Sequence, residues 1–497
     1  MSRWPVLILL AAAIVVPNFL FGPGLTDSQV YNYIWTAQFA DAISAGEFYP
    51  RWLPDSFEGL GSPTFYFYPP FAFWVAGALD ALGLTTLQAI NAAGFLLLLA
   101  SGLTMYVWLK SQGGRALLGA ALYMVAPYHL LDLYSRGALA EFAAFVWLPL
   151  IALAIEALPK RWAPPLLAVS FAGLILSHLP TALLAGLFLI APLAVRKVRQ
   201  DRDALLPGLV AGALGLALCA FYLLPALTLQ EHVSISLLWS DFYGPSHWRL
   251  DKASTLYLLS LAPIAPAMAL LALPSRSFWA GVTVVAALAA LQLIPVIWHI
   301  PLLAKVQFPW RLLAVVEFAA ITAVSFRAPR RLWLKAALVL LAAPYLVNGI
   351  RAGRMLTAPR DYTSVNRVLP DAPEYLPRGF DVSAVGDRMR AVDLSPYRAL
   401  PSPPTMVRSA GAITVRRFAF PIWRVEKEGI EVKSHGPLIT FQATPGVYRV
   451  VRVRLWQERL GALVSLLAAL SLLAMYPPAP AGPAKAHPRP RTAGTPS

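Results

Sequence analysis

The chain has few charged residues, a single cysteine and none of the short motifs that mark soluble enzymes. Charged residues make up 13% of its 497 positions and hydrophobic residues 58%, a balance that excludes an ordinary soluble protein and indicates many membrane spans. Cys219 is alone in an apolar run, which excludes an intramolecular disulfide. The sequence also contains no P-loop, dinucleotide fingerprint, HExxH or CxxC pattern.

Acidic residues are scarce as well, and the formal net charge is +16. A basic balance of this size is compatible with nucleic-acid binding, but the Lys and Arg residues do not cluster on a soluble domain. They lie in short loops between apolar runs, where they set membrane topology. The charge therefore predicts membrane orientation and no nucleic-acid partner.

Apolar runs of about 20 residues predict about twelve membrane spans. The first is interpreted as an uncleaved span, since no small-residue cleavage site follows it. The Lys/Arg bias of the loops places both termini in the cytoplasm. The predicted spans are 4–21, 88–109, 115–133, 142–158, 162–176, 181–195, 204–228, 255–273, 278–298, 308–326, 332–350 and 455–476.

Four further parts complete the predicted layout. The long first loop, 22–87, contains the aromatic and doubly proline segment 65–83, which either spans the bilayer or lies at its surface; we interpret it as a half-inserted element outside. Alternating residues and a Thr-Pro-Gly turn predict a small β-sandwich on the outer face within 351–454. The last span then leads into a basic, Pro-rich tail, 477–497, which is predicted to be disordered.

The first loop carries the first candidate site residue. Thr26-Asp27-Ser28-Gln29 fits a capping box, with Thr26 as N-cap, opening an amphipathic helix that lies on the outer surface and stops near Gly46. Asp27 is then either an ordinary acidic residue of a helix start or a base placed beside a lipid-borne substrate at headgroup depth.

The other outer loops add charged candidates at the same depth. Arg136 lies between Asp132 and Glu141, so it either pairs with Asp132 at i,i+4 spacing or binds a phosphate while Glu141 acts as a second carboxylate or metal ligand. Arg311 either anchors its span or grips a lipid phosphate. His178 is a structural histidine or a metal ligand, and Glu317 is a functional intramembrane carboxylate or a hydrogen-bond partner of a neighbouring helix.

Several of these segments together resemble one family. Asp27 after the first span, GEFYPRWLPDSFEGLGSPTFYFYPP, YSRGALAEF, SHLPTA and QFPWRLL resemble bacterial multi-span proteins labelled 6-pyruvoyl-tetrahydropterin synthase-related. These are relatives of the lipoteichoic-acid glycosylating membrane proteins and, more distantly, of GT-C glycosyltransferases. The three-histidine zinc site of the soluble pterin synthase has no counterpart in this sequence, so we do not expect pterin chemistry.

The resemblance implies an α-helical polytopic, GT-C-like membrane protein of the bacterial inner membrane. It would transfer a sugar from a polyprenyl-phosphate donor to an envelope glycan or lipid acceptor on the periplasmic face, with inversion. GT-C enzymes carry a catalytic acid in the first outer loop, which matches Asp27, and often a second one in the next outer loop, which matches Glu141. Their familiar pair of adjacent carboxylates is absent here, since Asp27 lies between Thr26 and Ser28, which leaves a Mg or Mn ion on Asp27, Glu141 and His178 open. The residues expected to bind substrate are Tyr49, Arg51, Trp52, Arg136, Gln307 and Arg311.

Two functions from other classes remain alternatives at this point. A lipid-linked-glycan transporter or flippase would need polar residues running through the bundle, and apart from Glu317 the spans have few. A non-catalytic scaffold for envelope assembly would use Asp27 and Glu141 only as helix caps.

Overall fold

The computed structural model describes residues 4–22, 24, 26–239, 243–357, 371–380 and 394–475. The predicted tail 477–497 and parts of the segment 351–454 lie outside the described residues. Helices dominate up to Thr357, because Leu- and Ala-rich runs are good helix formers and a helix satisfies its own backbone groups in an apolar environment.

The helices of the N-terminal half begin and end as follows: α1 (Pro5–Phe21), α2 (Gln29–Ser44), α3 (Thr64–Phe67), α4 (Phe71–Ala81), α5 (Thr86–Ser111), α6 (Ala116–Met124), α7 (Pro127–Leu131), α8 (Leu139–Ala144), α9 (Trp147–Ala157), α10 (Ala163–Ser177), α11 (Leu179–Ala185), α12 (Ala191–Gln200), α13 (Leu205–Leu218) and α14 (Ala220–Thr228). A π-helical turn follows α7 at Asp132–Arg136, and another follows α11 at Gly186–Ile190.

The remaining helices are α15 (Thr255–Ser260), α16 (Ile264–Ala272), α17 (Phe278–Ala290), α18 (Pro301–Ala304), α19 (Leu313–Phe326), α20 (Arg331–Thr357) and α21 (Trp456–Met475). The predicted helical membrane fold is confirmed, and each of the twelve predicted spans coincides with helical structure. In the described part of the chain, eight helical stretches are long and apolar enough to cross a membrane, and α13 with α14 adds a ninth that is bent by 66°. Helices α1, α4, α10 and α17 are apolar but shorter.

The segment that was ambiguous in the sequence forms two short helices, α3 and α4. Helix α4 has 11 residues, which at 1.5 Å per residue cover about 16 Å, roughly half the hydrocarbon thickness of a bilayer. Its length therefore suits the half-inserted interpretation.

The β-rich domain forms two antiparallel sheets between α20 and α21. Its strands are β1 (Thr405–Val407), β2 (Gly411–Phe418), β3 (Trp423–Lys427), β4 (Ile430–Val432), β5 (Ser434–His435), β6 (Leu438–Ala443) and β7 (Gly446–Arg452). The sheet orders are β1-β7-β3-β4 and β2-β6-β5, and both sheets contribute to one small core that includes Val425 and Phe441. This small β domain was predicted, including two strands joined near Gly429. The side of the helical bundle that carries it is here called the domain side.

Helix α2 differs from the prediction for the first loop. It begins at Gln29 with Ser28 as N-cap, and no side chain caps it, so the predicted capping box at Thr26 is wrong. The helix also does not lie on the surface, because polar residues such as Asn32 and Gln38 are buried together with its apolar ones. Periodicity could not reveal this, since the polar face is covered by other loops. A true capping box, Thr85 with Gln88, opens α5 instead.

One buried carboxylate fastens the first loop to the chain beyond α20. Asp371 accepts hydrogen bonds from Trp35 Nε1 at 2.7 Å, Ser56 Oγ at 2.8 Å and Thr64 Oγ1 at 2.7 Å. Burial raises the pKa of the Asp371 carboxyl, and these donors oppose the rise by stabilising the ionised form. The first loop is thus held at three points by a residue more than 300 positions away.

Candidate functional site

A π-helical turn brings the charged residues of the second loop together. It covers Asp132–Arg136 and ends at Gly137, which has the left-handed φ of 60°. The chain then reverses into α8, whose first turn contains Glu141. π-Helical turns are rare in proteins, and many of those that occur lie at functional sites. Here the turn places Arg136 between the carboxylates of Asp132 and Glu141.

Arg136 connects three side chains through a single nitrogen. Its Nη1 donates to Asp132 Oδ1 at 2.5 Å, to Glu141 Oε2 at 2.9 Å and to Tyr128 Oη at 2.9 Å. Tyr128 in turn donates its hydroxyl to Glu141 Oε1 at 2.6 Å. The expected i,i+4 pair with Asp132 is therefore present, and Arg136 pairs with Glu141 as well; phosphate binding by Arg136 stays a prediction.

Arg311 reaches the same carboxylate from a third part of the chain. Its Nε lies 3.4 Å from Glu141 Oε2, and its Nη1 donates to the Val306 carbonyl at 2.7 Å and to Gln307 Oε1 at 3.0 Å. Gln307 has a positive φ of 73° and donates its own amide to the Leu238 carbonyl, so it positions Arg311. Tyr128, Asp132, Arg136, Glu141 and Arg311 are here called the Glu141 cluster.

The cluster is almost entirely removed from solvent. Asp132 and Glu141 are each 1% exposed and Arg311 is 7% exposed, whereas the Arg136 side chain is 14% exposed. A guanidinium carries five N–H donors, and within the described residues Nε and Nη2 of Arg136 have no hydrogen-bond partner. Arg136 is therefore the member through which the cluster could meet an anion, and a planar fork of donors suits a phosphate.

The first and second loops are in direct contact. The backbone N–H of Asp27 donates to the Ser135 carbonyl at 3.2 Å, and that of Ser28 donates to the Arg136 carbonyl at 3.0 Å. Asn32 Nδ2 adds a bond of 2.7 Å to the Gly137 carbonyl. Asp27 is thus fixed beside the Glu141 cluster by backbone contacts.

The two candidate acids nevertheless point to different partners. The Asp27 side chain is 58% exposed and accepts from Arg351 of α20 at 2.8 Å, while Glu141 is enclosed by its arginines and Tyr128. His178 is also committed, because its Nδ1 is 2.8 Å from Thr181 Oγ1. In the described part of the chain no group of three His, Cys, Asp or Glu residues could hold a metal ion. The three proposed ligands do not fit a divalent cation, since two guanidinium groups beside Glu141 would repel it.

A small polar cavity lies next to the cluster, between α1, α2 and the π-helical turn. Its volume is about 30 Å³, enough for an ordered water. Asn18 Oδ1, Gln29 Nε2 and Asp132 Oδ2 are buried in its wall with no hydrogen-bond partner among the described residues. The free oxygen of Asp132 therefore faces this cavity together with these two other polar atoms.

Three residues predicted to bind the same substrate lie elsewhere. Trp52 is 5% exposed and packs edge-on against Trp423 of the β domain, with ring centroids 5.3 Å apart, so it joins the loop to that domain. Tyr49 and Arg51 line a different cavity, lying near the start of α21. The structure therefore does not bring these three residues to the site formed by Arg136, Glu141 and Arg311.

Two residues of the site were missed or left open in the sequence. Tyr128 follows a proline near a span end, where an aromatic residue looks like an ordinary interfacial one, and no local signal marks its bonds to Arg136 and Glu141. Glu317 accepts the backbone N–H groups of Tyr128 at 2.7 Å and His129 at 3.3 Å. Glu317 therefore acts as the hydrogen-bond partner of a neighbouring helix, α7, and helps to hold Tyr128 in position.

Gly137 offers a test of how tightly the two loops are joined. A Cβ at Gly137 would lie 2.0 Å from Thr26 Oγ1, and a side chain in the left-handed region costs about 1–2 kcal/mol by itself. We expect Gly137→Ala to lower the thermal unfolding midpoint of the purified protein and to displace the segment carrying Asp27.

Gly113 is the matched control for this substitution. It also has a positive φ, of 73°, but an added Cβ would meet nothing within 4 Å. Gly113→Ala should therefore show the backbone strain alone. Equal midpoints for the two variants would contradict a close contact between Gly137 and Thr26.

Comparison with known proteins identifies a family and a partial structural likeness. Residues 65–355 match the family described as "6-pyruvoyl-tetrahydropterin synthase related domain; membrane protein". No curated protein matches the chain.

Among solved structures, the chain is similar to the cryo-EM structure of the arabinofuranosyltransferase AftD from mycobacteria. The identity is 17% and the TM-score 0.47, over 72% of this chain and 27% of that one. A mutant of AftD gives 18% and 0.41, over 72% and 28%. The chain thus spans little more than a quarter of the length of these proteins, and a likeness at this level carries no conclusion about activity.

Proposed function

We propose that this chain is an integral membrane glycosyltransferase. The chain belongs to the family of 6-pyruvoyl-tetrahydropterin synthase-related membrane proteins, because more than half of it matches that family. It transfers a sugar from a polyprenyl-phosphate-linked donor to a glycan or lipid acceptor of the cell envelope. The reaction takes place on the domain side, which in this proposal is the periplasmic face of a bacterial inner membrane, with both termini in the cytoplasm.

The observation that carries the proposal is the convergence of two arginines on one buried carboxylate at the end of the helical bundle. Arg136 and Arg311 approach the same oxygen of Glu141, at 2.9 and 3.4 Å. A scaffold that needs only helix caps has no use for two guanidinium groups held in this way. Cations fixed at the end of membrane helices suit the phosphate of a lipid whose chain lies among the helices.

The proposal gives each residue of the site a role that suits its surroundings. Arg136, with its unused donors, and Arg311 bind the phosphate of the donor and stabilise the charge that develops as it leaves. Glu141 and Gln307 position the two guanidinium groups. Asp27, exposed on the neighbouring loop, accepts the proton of the acceptor hydroxyl, and Arg351 orients its carboxylate. No step is routed through a metal ion.

The bonds balance as in an inverting displacement. The acceptor oxygen forms a bond to the anomeric carbon from one side, while the bond from that carbon to the phosphate oxygen breaks on the other. The electron pair of the broken bond stays on the polyprenyl phosphate, between the arginines. The proton of the acceptor hydroxyl goes to Asp27. A carboxylate is a weak base, so most of the barrier reduction must come from stabilisation of the leaving phosphate.

In this proposal the β domain holds the acceptor. It is fixed to the first loop by Glu58, whose carboxylate accepts two bonds from Arg398 at 2.6 and 2.8 Å, and by the backbone bond from Phe418 to the Leu60 carbonyl. An acceptor glycan bound on this domain would therefore keep a fixed position relative to Asp27.

Reconstitution tests the proposal directly. The purified full chain in proteoliposomes, supplied with a polyprenyl-phosphate sugar and envelope glycan extract, should yield glycan with added sugar, detected by mass spectrometry. Envelope glycans of cells lacking the protein should lose the same modification. Movement of the lipid-linked sugar across the bilayer without transfer would overturn the proposal and favour a transporter.

A further inference from the structure

A second cavity on the domain side carries more positive charge than the Glu141 cluster. Its volume is about 650 Å³, within the range of small-molecule sites. Three segments form it: the end of α2 with the residues after it, the end of β7, and the first turns of α21. Four arginines line it, Arg51, Arg452, Arg454 and Arg459, against two carboxylates, Glu47 and Glu458. It is here called the arginine pocket.

Two of these arginines are already paired. Arg51 lies 3.5 Å from Glu458 and donates to the Phe221 carbonyl at 3.0 Å, and Arg452 donates to Glu47 at 2.9 Å. Both carboxylates of the pocket therefore have a cation. Glu458 is further used, since its Oε2 accepts the Leu455 N–H that opens α21.

The other two arginines of the pocket have no carboxylate partner among the described residues. Within the residues that the structure describes, the exposed side chains of Arg454 and Arg459 have no ion-pair or hydrogen-bond partner. Cations are normally depleted in loops on the side of a membrane protein that faces away from the cytoplasm. Unpaired arginines beside the last span, on the proposed periplasmic side, thus indicate a ligand with negative charge.

The surroundings indicate that this ligand has an apolar part. Ala462 of α21 lines the pocket, and Leu463 and Leu467, further along that helix, are exposed. On the opposite wall, the Phe48 ring is 73% exposed and stacks on Trp74. Aromatic rings and arginines around one cavity, next to exposed leucines of α21, match the headgroup and chain of an amphiphile.

We propose that the arginine pocket binds the phosphate headgroup of a membrane lipid, with the lipid chain lying along α21. The pocket shares no residue with the Glu141 cluster, so the site does not depend on sugar transfer; it rests only on the periplasmic placement of the domain side in the proposed function. It gives Arg51 and Tyr49 a different ligand from the one expected for Arg136 and Arg311.

The test uses the full chain in detergent and native mass spectrometry, with dioleoylphosphatidic acid as the probe. Dioleoylglycerol, which lacks the phosphate, and inorganic phosphate, which lacks the lipid, are the comparison ligands. The double variant Arg454→Gln and Arg459→Gln should bind phosphatidic acid about tenfold more weakly, since each lost guanidinium removes charge-assisted hydrogen bonds. Its thermal unfolding midpoint should not change, because neither side chain has a partner among the residues that the structure describes.

A second double variant controls for loss of charge. Arg408→Gln with Arg449→Gln removes two exposed arginines of the β domain that lie outside the pocket, and this variant should bind phosphatidic acid like the parent. Equal binding by parent and pocket variant would overturn the proposal, as would equal weakening by both double variants. Displacement of the lipid by inorganic phosphate at equal concentration would overturn the lipid as the ligand and leave a free anion.

Discussion

Replacing Asp27 by Asn should lower sugar transfer by about 100-fold or more and leave the protein folded. Positioned general bases contribute about 10²–10⁴-fold to rate, and Asn keeps the size of the side chain while removing the proton acceptor. The Asp27 side chain is 58% exposed and, among the described residues, pairs only with Arg351, so loss of this ion pair costs little stability, within about 1 kcal/mol. The measurement is initial rate of transfer in proteoliposomes at saturating donor, with thermal unfolding of the same preparation.

Asp251 provides the matched control. It is 59% exposed, is paired with Arg249 and lies on a different loop. Asp251→Asn removes an equally exposed, arginine-paired carboxylate and should transfer sugar at the parent rate. Full activity of Asp27→Asn would remove Asp27 from the mechanism, and a comparable loss in both variants would show that the effect is one of net charge.

The membrane fold could be predicted because its signals are local. An apolar run such as that of α5 specifies a helix and its burial together. The strands of the β domain could be predicted from the alternation of apolar and polar residues around Gly429 and Thr444. Successive side chains of a strand point to opposite faces, so this alternation shows which face is buried. These features need no knowledge of what lies next to them in space.

The environment of a polar side chain could not be predicted in this way. Asn32 and Gln38 look like the wet face of a surface helix, but Gln38 reaches Ser56, and Ser56 is in turn bound to Asp371. The partners are remote in sequence, so no period reveals them. This is why helix α2 was expected to lie on the surface.

The candidate site divides along the same line. Depth along a span is a local property, so Arg136, Glu141 and Arg311 were rightly expected at one level. Direction is not local: Arg51 was expected beside them, but the turn after α2 directs it to Glu458 at the start of α21. Sequence could assign these residues to the same end of the bundle, and only the packing of the loops divides them between two cavities.

Replacing Glu141 by Gln should cost about 3–5 kcal/mol of unfolding free energy, the range found when one partner of a buried ion pair is removed. Glu141 is 1% exposed and faces Arg136, Arg311 and Tyr128. Without its charge, Asp132 alone would balance two buried guanidinium groups. The measurement is denaturant unfolding in detergent micelles, followed by helical circular dichroism.

Glu156 gives the control at the other end of the same pair of helices, α8 and α9. It pairs with Arg196 at 3.3 Å, but this arginine side chain is 33% exposed, so solvent takes over much of the lost interaction and Glu156→Gln should cost less than about 1 kcal/mol. If both variants lose the same small amount, the Glu141 cluster does not hold its arginines by charge. The proposed phosphate site would then have no fixed cations, because guanidinium groups that Glu141 does not position could not be preorganised for the leaving phosphate.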